Sequence, residues 1–219
     1  MSDMAPTAGS QKIVDELGRR HPMLAPVLPD VARAVGMLCD CFRADGQLLL
    51  CGNGGSAADC AHIVGELAKG FLARRPLPAQ EVERLSRLGA ADAAELAGKL
   101  QRGVRALALT GADALTSAFA NDVDAALVFA QQVYVFGRPG DVLLGISTSG
   151  NAKNVVAALK VGRAFGLKTI GLTGSRPGAM DPFCDLCLKV PAEKTHEIQE
   201  LHLPVYHALC AAVEAELFG

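Results

Sequence analysis

The feature that most constrains the fold of this chain is an apolar segment that runs directly into a glycine-rich loop, and it occurs twice. Leu48–Cys51 is followed by Gly52-Asn53-Gly54-Gly55-Ser56, and Asp141–Ile146 is followed by Ser147-Thr148-Ser149-Gly150-Asn151. Short apolar runs bounded by glycine are typical of buried strands. Glycines let the backbone approach a ligand closely, and free amides at a helix start attract anions. Each unit therefore predicts a cradle for a phosphate group.

Further apolar runs alternate with helical segments along the chain. The other predicted strands are 106–110, 168–172 and 186–190. Helical spacing of apolar residues predicts helices at about 10–20, 28–44, 56–69, 115–120, 125–136, 152–165 and 195–216. Strands that alternate with helices form a parallel sheet covered on both faces, and its ligands bind beyond the carboxyl ends of the strands. The predicted fold class is therefore α/β, a three-layer α-β-α sandwich with a five-stranded parallel sheet.

The chain is predicted to be a single domain over residues 1–219, with two additions to the alternating pattern. A helical N-terminal extension covers about 10–45, and residues 1–9 are polar and expected to be loosely held. An insertion at about 76–103 carries two short surface helices. We expect this insertion to close over the site or to extend a contact between subunits.

Charge and composition exclude several classes of function. The net charge is -2 without a long basic run, so nucleic acid is not an expected partner. No apolar stretch approaches the roughly 20 residues of a membrane span, and the N-terminus lacks the pattern of a signal peptide. Seven cysteines scattered through apolar segments favour reduced thiols and a cytoplasmic protein, with Cys184 and Cys187 interpreted as packing residues rather than a redox or zinc pair.

Several side chains that can carry chemistry occur at helical spacing. His62 and Glu66 are four residues apart and therefore share one helix face. The C-terminal helix holds Gln199, His202 and His207, of which His202 is interpreted as a packed residue. Neither glycine-rich loop matches the nucleotide-binding or dinucleotide-binding patterns, so no organic cofactor is expected. A carboxylate and an imidazole beside phosphate cradles indicate an enzyme that acts on a phosphorylated small molecule.

Several stretches together resemble the sugar isomerase (SIS) domain proteins, and specifically the phosphoheptose isomerases. The matching residues are Leu50–Ser56, His62-x-x-x-Glu66-Leu67, Asn121-Asp122, Gly140–Asn151, Thr173-Gly174 and Ile198–His202 through His207. The resemblance implies a flavodoxin-like SIS domain that forms a homotetramer with active sites between subunits. It also implies conversion of sedoheptulose 7-phosphate to D-glycero-D-manno-heptose 7-phosphate through an enediol.

The resemblance also assigns roles to individual residues. Glu66 and His207 fall on the acid/base pair of the family. One zinc ion per subunit, held in some members, would take the ligands His62, Glu66, Gln199 and His207. Substrate and phosphate binding is implied for Asn53, Gly54, Ser56, Ser147, Thr148, Ser149 and Gln199. Tight binding of Glu66 to a metal would make it a poorer base, so its two roles compete.

The chain departs from the family pattern at three positions near the expected substrate. Ala152 stands where many members have another serine, Gly70 replaces an arginine beside Lys69, and His196 replaces an acidic residue. Two alternatives therefore stay open: a non-catalytic tetrameric SIS scaffold that binds a replication initiator, and an isomerase of another sugar phosphate. A regulatory sugar-phosphate sensor is disfavoured, because no DNA-binding segment flanks the domain.

Overall fold

In the computed structural model of the protein, which describes residues 7–219, five parallel strands form one sheet. The sheet order is β2-β1-β3-β4-β5, and adjacent strands β1 and β3 pair from Leu48 with Val142 to Cys51 with Gly145. The strands are β1 Leu48–Cys51, β2 Ala106–Ala108, β3 Val142–Ile146, β4 Lys168–Thr173 and β5 Leu186–Lys189. The predicted five-stranded parallel sheet is confirmed.

The helices follow the predicted alternation, and residues 1–6 of the polar N-terminal stretch lie outside the described residues. Thr7 caps the first helix through its side chain, so the chain is already held there. The α-helices are α1 Ala8–Arg20, α2 Leu28–Arg43, α3 Gly55–Ala68, α4 Ala79–Ser86, α5 Ala90–Lys99, α6 Asp113–Phe119, α7 Val128–Phe136, α8 Lys153–Ala164 and α9 Thr195–Phe218. Helix α9 continues through Pro204 without ending.

The strand side chains alternate between two hydrophobic clusters, one on each face of the sheet. Leu48 and Leu50 point into a cluster formed with α1, α2, α3 and α9, whereas Leu49 and Cys51 point into a cluster formed with α7 and α8. This period of two is the side-chain geometry of a strand. Because both faces are covered, the strands are apolar throughout, and the three-layer arrangement is confirmed.

The N-terminal extension contains an apolar helical run that is longer than the sequence analysis recognised. Pro22–Arg43 is long and apolar enough to cross a membrane by length and composition alone. It consists of a 3-10 segment, Pro22–Val27, followed by α2. Residues Val31, Ala34 and Leu38 of α2 are buried in the main cluster, together with residues of α9. We therefore assign this run as a core helix.

Two stretches differ in detail from the predicted elements. Strand β2 ends at Ala108 rather than near residue 110, because Leu109–Gly111 turns into a 3-10 segment. The expected helix at 125–136 begins as a 3-10 segment, Ala125–Leu127, in which the Asp124 carboxylate accepts the amide of Ala126. A π-helical segment, Ala120–Asp124, joins it to α6 where a break was expected.

The insertion at 76–103 holds the two predicted short helices, α4 and α5. No residue of α4 and only Ala93 of α5 is buried, so these helices project from the domain. The ends of the insertion are tied together: the amide of Arg102 donates to the Arg75 carbonyl, and the amide of Gly70 donates to the Gln101 side chain. Its proposed closure or subunit contact stays a prediction.

Candidate active site

The two glycine-rich loops meet at the carboxyl edge of the sheet. They follow β1 and β3, which are neighbours at the point where the strand order reverses, and this is where open α/β sheets bind ligands. The side-chain amides of Asn53 and Asn154 exchange two hydrogen bonds of 2.9 and 2.8 Å across the gap. Asn154, which the sequence analysis missed, therefore fixes the orientation of the predicted substrate ligand Asn53.

The first loop has the backbone geometry of an anion cradle. Gly54 has φ 56°, and a side chain at Gly52 would lie 2.9 Å from atoms of Ser56. Ser56 is buried in the first turn of α3. No side chain caps this helix and no acidic residue occupies its first turn, so the positive end of the helix dipole faces the loop, although the amides of Ser56 and Ala57 already donate to the carbonyls of Asn53 and Gly54.

The second loop has the same construction. Gly150 has φ 67°, and its backbone packs closely against Gly178. Within the loop, the Ser149 hydroxyl accepts the amide of Asn151 at 3.2 Å. Ser147 is buried at the base of the loop. Helix α8 begins directly afterwards with no acidic residue in its first turn. The predicted phosphate ligands of both loops thus converge on one edge of the sheet.

The predicted acid/base residues lie on two helices that run side by side in the same direction. On α3, the Nε2 atom of His62 is 3.2 Å from the Oε1 atom of Glu66. The His207 ring on α9 meets the His62 ring edge-on at a centroid distance of 5.0 Å. Glu66 is half-buried, with 16% of its side chain exposed. The structure therefore brings His62, Glu66 and His207 together.

The surroundings of this trio set the protonation states of Glu66 and His207. Burial alone would raise the pKa of Glu66, but the hydrogen bond and charge of Lys69 at 3.0 Å, assisted by His62, outweigh it and lower the pKa. Burial lowers the pKa of His207, and nearby His62 lowers it further against the opposing effect of Glu66. Glu66 is thus an ionised carboxylate beside a neutral imidazole.

A hydrogen-bond network next to His62 fixes the orientation and the tautomer of its ring. The Tyr206 hydroxyl donates to the Oδ1 atom of Asp59 at 3.2 Å and lies 3.1 Å from the Nδ1 atom of His62. Burial raises the pKa of Asp59, although the bond from Tyr206 opposes this rise. Since a phenol has one proton and an ionised carboxylate only accepts, the network assigns a proton to Nδ1 of His62. In this tautomer Nε2 and the Oε1 atom of Glu66 are two acceptors 3.2 Å apart, an arrangement that a second proton or a cation between them would satisfy.

Of the two residues that support His62 in this hydrogen-bond network, only one could have been identified from sequence spacing. Asp59 is three residues before His62 and so lies on the same side of α3. Tyr206 belongs to another helix, and its contact with Asp59 arises only from tertiary packing.

The fourth residue of the predicted zinc set lies elsewhere. The Gln199 side-chain nitrogen would be 2.6 Å from a side chain at Gly55, so Gln199 covers the start of α3. It is eight residues before His207 and therefore about 12 Å from it along α9. Within residues 7–219, no group of three or more His, Cys, Asp or Glu side chains has the arrangement of a preformed metal site.

The donor chemistry of the trio nevertheless suits a metal such as zinc. His207 has a buried Nε2 atom without a hydrogen-bond partner among the described residues. His62 directs its Nε2 atom at a carboxylate, and zinc takes imidazole and carboxylate ligands of this kind. Within one chain the histidines and Glu66 fit the ion together, whereas Gln199 lies at the start of α3.

His202 behaves as the packed residue that the sequence analysis favoured. It is fully buried, and neither ring nitrogen has a hydrogen-bond partner in the described part of the chain. Burial lowers its pKa to about 4, so the ring is neutral at physiological pH. Cys184 and Cys187 are likewise free thiols beside Gly171 and form no disulfide.

Comparison with known proteins places this site in a family. The sequence matches the SIS domain over residues 28–97 and 85–174. It is 38% identical over 195 residues to a phosphoheptose isomerase of Rhodospirillum rubrum, with 89% of each chain covered. Among solved structures, a phosphoheptose isomerase of Neisseria gonorrhoeae superimposes with a TM-score of 0.70 and 30% identity, covering 95% of this chain and 94% of the other.

A second solved structure shows the same fold. The phosphoheptose isomerase of Francisella tularensis superimposes with a TM-score of 0.74 and 26% identity, covering 95% of this chain and 100% of the other. The extent of these matches, together with the paired loops and the trio of His62, Glu66 and His207, shows that this chain belongs to the phosphoheptose isomerase family of SIS-domain proteins.

Proposed function

We propose that the protein is an aldose–ketose isomerase that converts sedoheptulose 7-phosphate to D-glycero-D-manno-heptose 7-phosphate. The observation that carries this proposal is the juxtaposition of an ionised Glu66 with a neutral His207 on adjacent helices of a domain with two phosphate cradles. Isomerisation needs one group that removes a carbon-bound proton and another that protonates the carbonyl oxygen. The names of the relatives agree with this reaction class.

Only these two side chains transfer protons in the proposed reaction. Glu66 removes the proton from carbon 1 of the ketose while His207 donates a proton to the oxygen of carbon 2, and the result is an enediol. Glu66 then returns its proton to carbon 2 while His207 takes the proton of the carbon 1 hydroxyl, which becomes the aldehyde. Substrate and product have the same composition, and no redox cofactor is consumed.

Substitution of the two groups tests this assignment. We expect Glu66→Gln and His207→Ala each to lower kcat by about 100-fold to 10,000-fold, the usual contribution of general acid–base catalysis. Binding of the sugar phosphate, measured by calorimetry, should persist because the two loops are unchanged. Full turnover in either variant would contradict the assignment. Turnover of a different sugar phosphate alone would support the alternative substrate.

We also propose that His62, Glu66 and His207 hold one zinc ion, a role that competes with the action of Glu66 as base. When bound there, the ion would polarise the substrate carbonyl and stabilise the enediolate. The support is the Nε2 atom of His207, which has no hydrogen-bond partner among residues 7–219, and the orientation of His62. Metal analysis after dialysis against zinc should find one ion per chain in the wild type and a loss in His62→Ala. An equal content in both proteins would contradict this set of ligands.

We propose a homotetramer in which subunits share active sites. Glu66 is eleven residues after Gly55 and therefore about 16 Å along α3 from the first loop, a long span for one sugar phosphate. A cavity of about 550 Å³ between α1 and α9, with exposed Leu72 and Leu203 in its lining, opens beside His207. Light scattering should give four chains per particle, and a monomer with full activity would contradict the proposal.

The remaining proposals concern the cellular compartment and the partners of the protein. We propose that the enzyme acts in the cytoplasm on a small molecule, without nucleic acid or membrane as partner, in keeping with seven free thiols and a net charge of -2. The scaffold alternative would leave the acid/base pair without a purpose, and the enzymatic names of the relatives do not favour it.

A further inference from the structure

A buried ion pair outside the predicted site links the two helices that carry the acid/base pair. The Nε atom of Arg75 donates to the Oε1 atom of Glu214 at 2.8 Å, and their side chains are 1% and 5% exposed. Because removal of two charges from water is costly, a buried ion pair is weak evidence for added stability. The other hydrogen bonds of Arg75 and Glu214 indicate a role besides stability.

Glu214, on α9, fixes the backbone that follows α3. Its carboxylate accepts the amides of Phe71, Leu72 and Ala73 at 2.8, 2.7 and 3.1 Å. Phe71 in turn places its ring 5.6 Å from the ring of His207. The carboxylate therefore sets the position of an aromatic wall of the proposed acid.

Arg75 fixes the last turn of α3. Its Nη1 atom donates to the carbonyl of Leu67 at 2.9 Å, and its Nη2 atom donates to the carbonyl of Glu66 at 3.4 Å. These carbonyls lie at a helix end, where they lack partners within the helix. The guanidinium also stacks on Phe218, 4.5 Å from the ring centroid. One side chain thus bonds both Glu214 and the backbone of the proposed base.

We propose that Arg75 and Glu214 are positioning residues, which hold Glu66 and His207 in the relative placement that proton transfer requires. Neither side chain contacts the substrate in this account, and the inference rests on the proposed isomerase function. Since a displacement of about 1 Å at reacting groups can cost about 100-fold in rate, a loosened pair lowers kcat more than it raises KM.

The same helix offers a matched control. Glu216 is two residues further along α9, and its side chain is 7% exposed. Its carboxylate accepts from the amide of Thr7 and the hydroxyl of Ser10, and it pairs with Arg43 at 3.3 Å. It therefore ties α9 to α1 and α2, which carry neither member of the acid/base pair.

The test compares Glu214→Gln with Glu216→Gln in the full chain. We expect Glu214→Gln to lower kcat by about 10-fold to 100-fold with KM changed by less than about 3-fold. Glu216→Gln should lower the melting temperature to a similar extent while kcat stays within about 2-fold. An equal effect of the two variants on kcat would overturn the proposal and leave only a structural role.

A second variant and a second readout guard against misfolding and against failure of the proposed function. Arg75→Lys keeps the charge opposite Glu214 but cannot also reach both carbonyls, so we expect a loss of kcat with a smaller loss of stability. In protein with ¹³C-labelled histidine rings, the His207 resonance should shift in Glu214→Gln and stay in place in Glu216→Gln, because only the former releases Phe71.

The readouts separate the two claims. Absence of turnover in the wild type would refute the proposed function, and the histidine resonances would still decide the positioning claim. A His207 resonance that is unmoved in both Glu214→Gln and Arg75→Lys would overturn that claim.

Discussion

The hydroxyl of Tyr206 is the part of the site whose removal gives the sharpest prediction. Tyr206→Phe deletes the atom that joins Asp59 to His62 and leaves the ring, which is 1% exposed, in place. A buried group left without its partner costs about 1–3 kcal/mol. Water can reach His62, whose side chain is 43% exposed, and Asp59 is only half-buried. Because water can replace part of the lost hydrogen bonding, we expect a cost at the lower end of this range.

We therefore expect a loss of about 1 kcal/mol of unfolding free energy, or about 2–4 °C in melting temperature for a chain of this size. The second tyrosine supplies the control. Tyr134 is 59% exposed and packs on Phe165, and its hydroxyl makes no hydrogen bond within the described residues, so Tyr134→Phe should leave stability unchanged.

The same variant tests the assigned proton on His62. ¹⁵N spectra at about pH 8, above the ordinary imidazole pKa, should show His62 of the wild type as the Nδ1–H tautomer. In Tyr206→Phe the ring should become a mixture of tautomers, and zinc affinity should fall by about 10-fold to 100-fold, as is usual when such a supporting partner is lost. A wild-type ring protonated on Nε2 alone would refute the reasoning.

Other predictions concern the loops and the buried carboxylates. Asn154→Ala should raise KM about 5-fold, the equivalent of one lost hydrogen bond, with kcat little changed in steady-state kinetics; unchanged KM would contradict a role in orienting the substrate ligand. Gly150→Ala, at φ 67°, should cost about 1–3 kcal/mol in urea unfolding, whereas Gly36→Ala, in an open helical position, should add up to about 1 kcal/mol. Equal effects of the two would contradict the strain argument. Because hydrogen bonds outweigh burial and lower the pKa of Glu214 and of Glu216, stability should be complete above the ordinary pKa of 4.5 and fall as pH drops below it. The double Gln variant should flatten this fall, and an unchanged slope would contradict it.

The fold could be predicted from the sequence because its signals are local. Apolar runs such as Leu48–Cys51 have no polar residue and end in glycine, which leaves a buried parallel strand as the consistent interpretation. The two loops follow from the same pattern, since their glycines have the positive φ values at 54 and 150 that favour this residue. The end of β2 and the π-helical segment at Ala120–Asp124 depend on packing, and sequence spacing did not indicate them.

The residues of the candidate site likewise fall into those that local spacing indicates and those that only the folded chain brings together. His62 and Glu66 were paired correctly because helical spacing alone brings them together. His207 joined them through family resemblance, since no spacing rule relates α3 to α9. Asn154 and Tyr206 were missed because their partners are distant in sequence and meet only in the folded chain. Gln199 was assigned to the metal set, but the structure places it at the start of α3, against Gly55.

The most direct test of the account is proton exchange during turnover. The wild-type protein would be incubated with sedoheptulose 7-phosphate in deuterated water, and the sugar followed by NMR, with Glu66→Gln as the control. The account predicts an aldoheptose phosphate that carries deuterium on carbon 2, formed by the wild type and lost in the variant. Recovery of unlabelled ketose without any aldose, with and without added zinc, would contradict it.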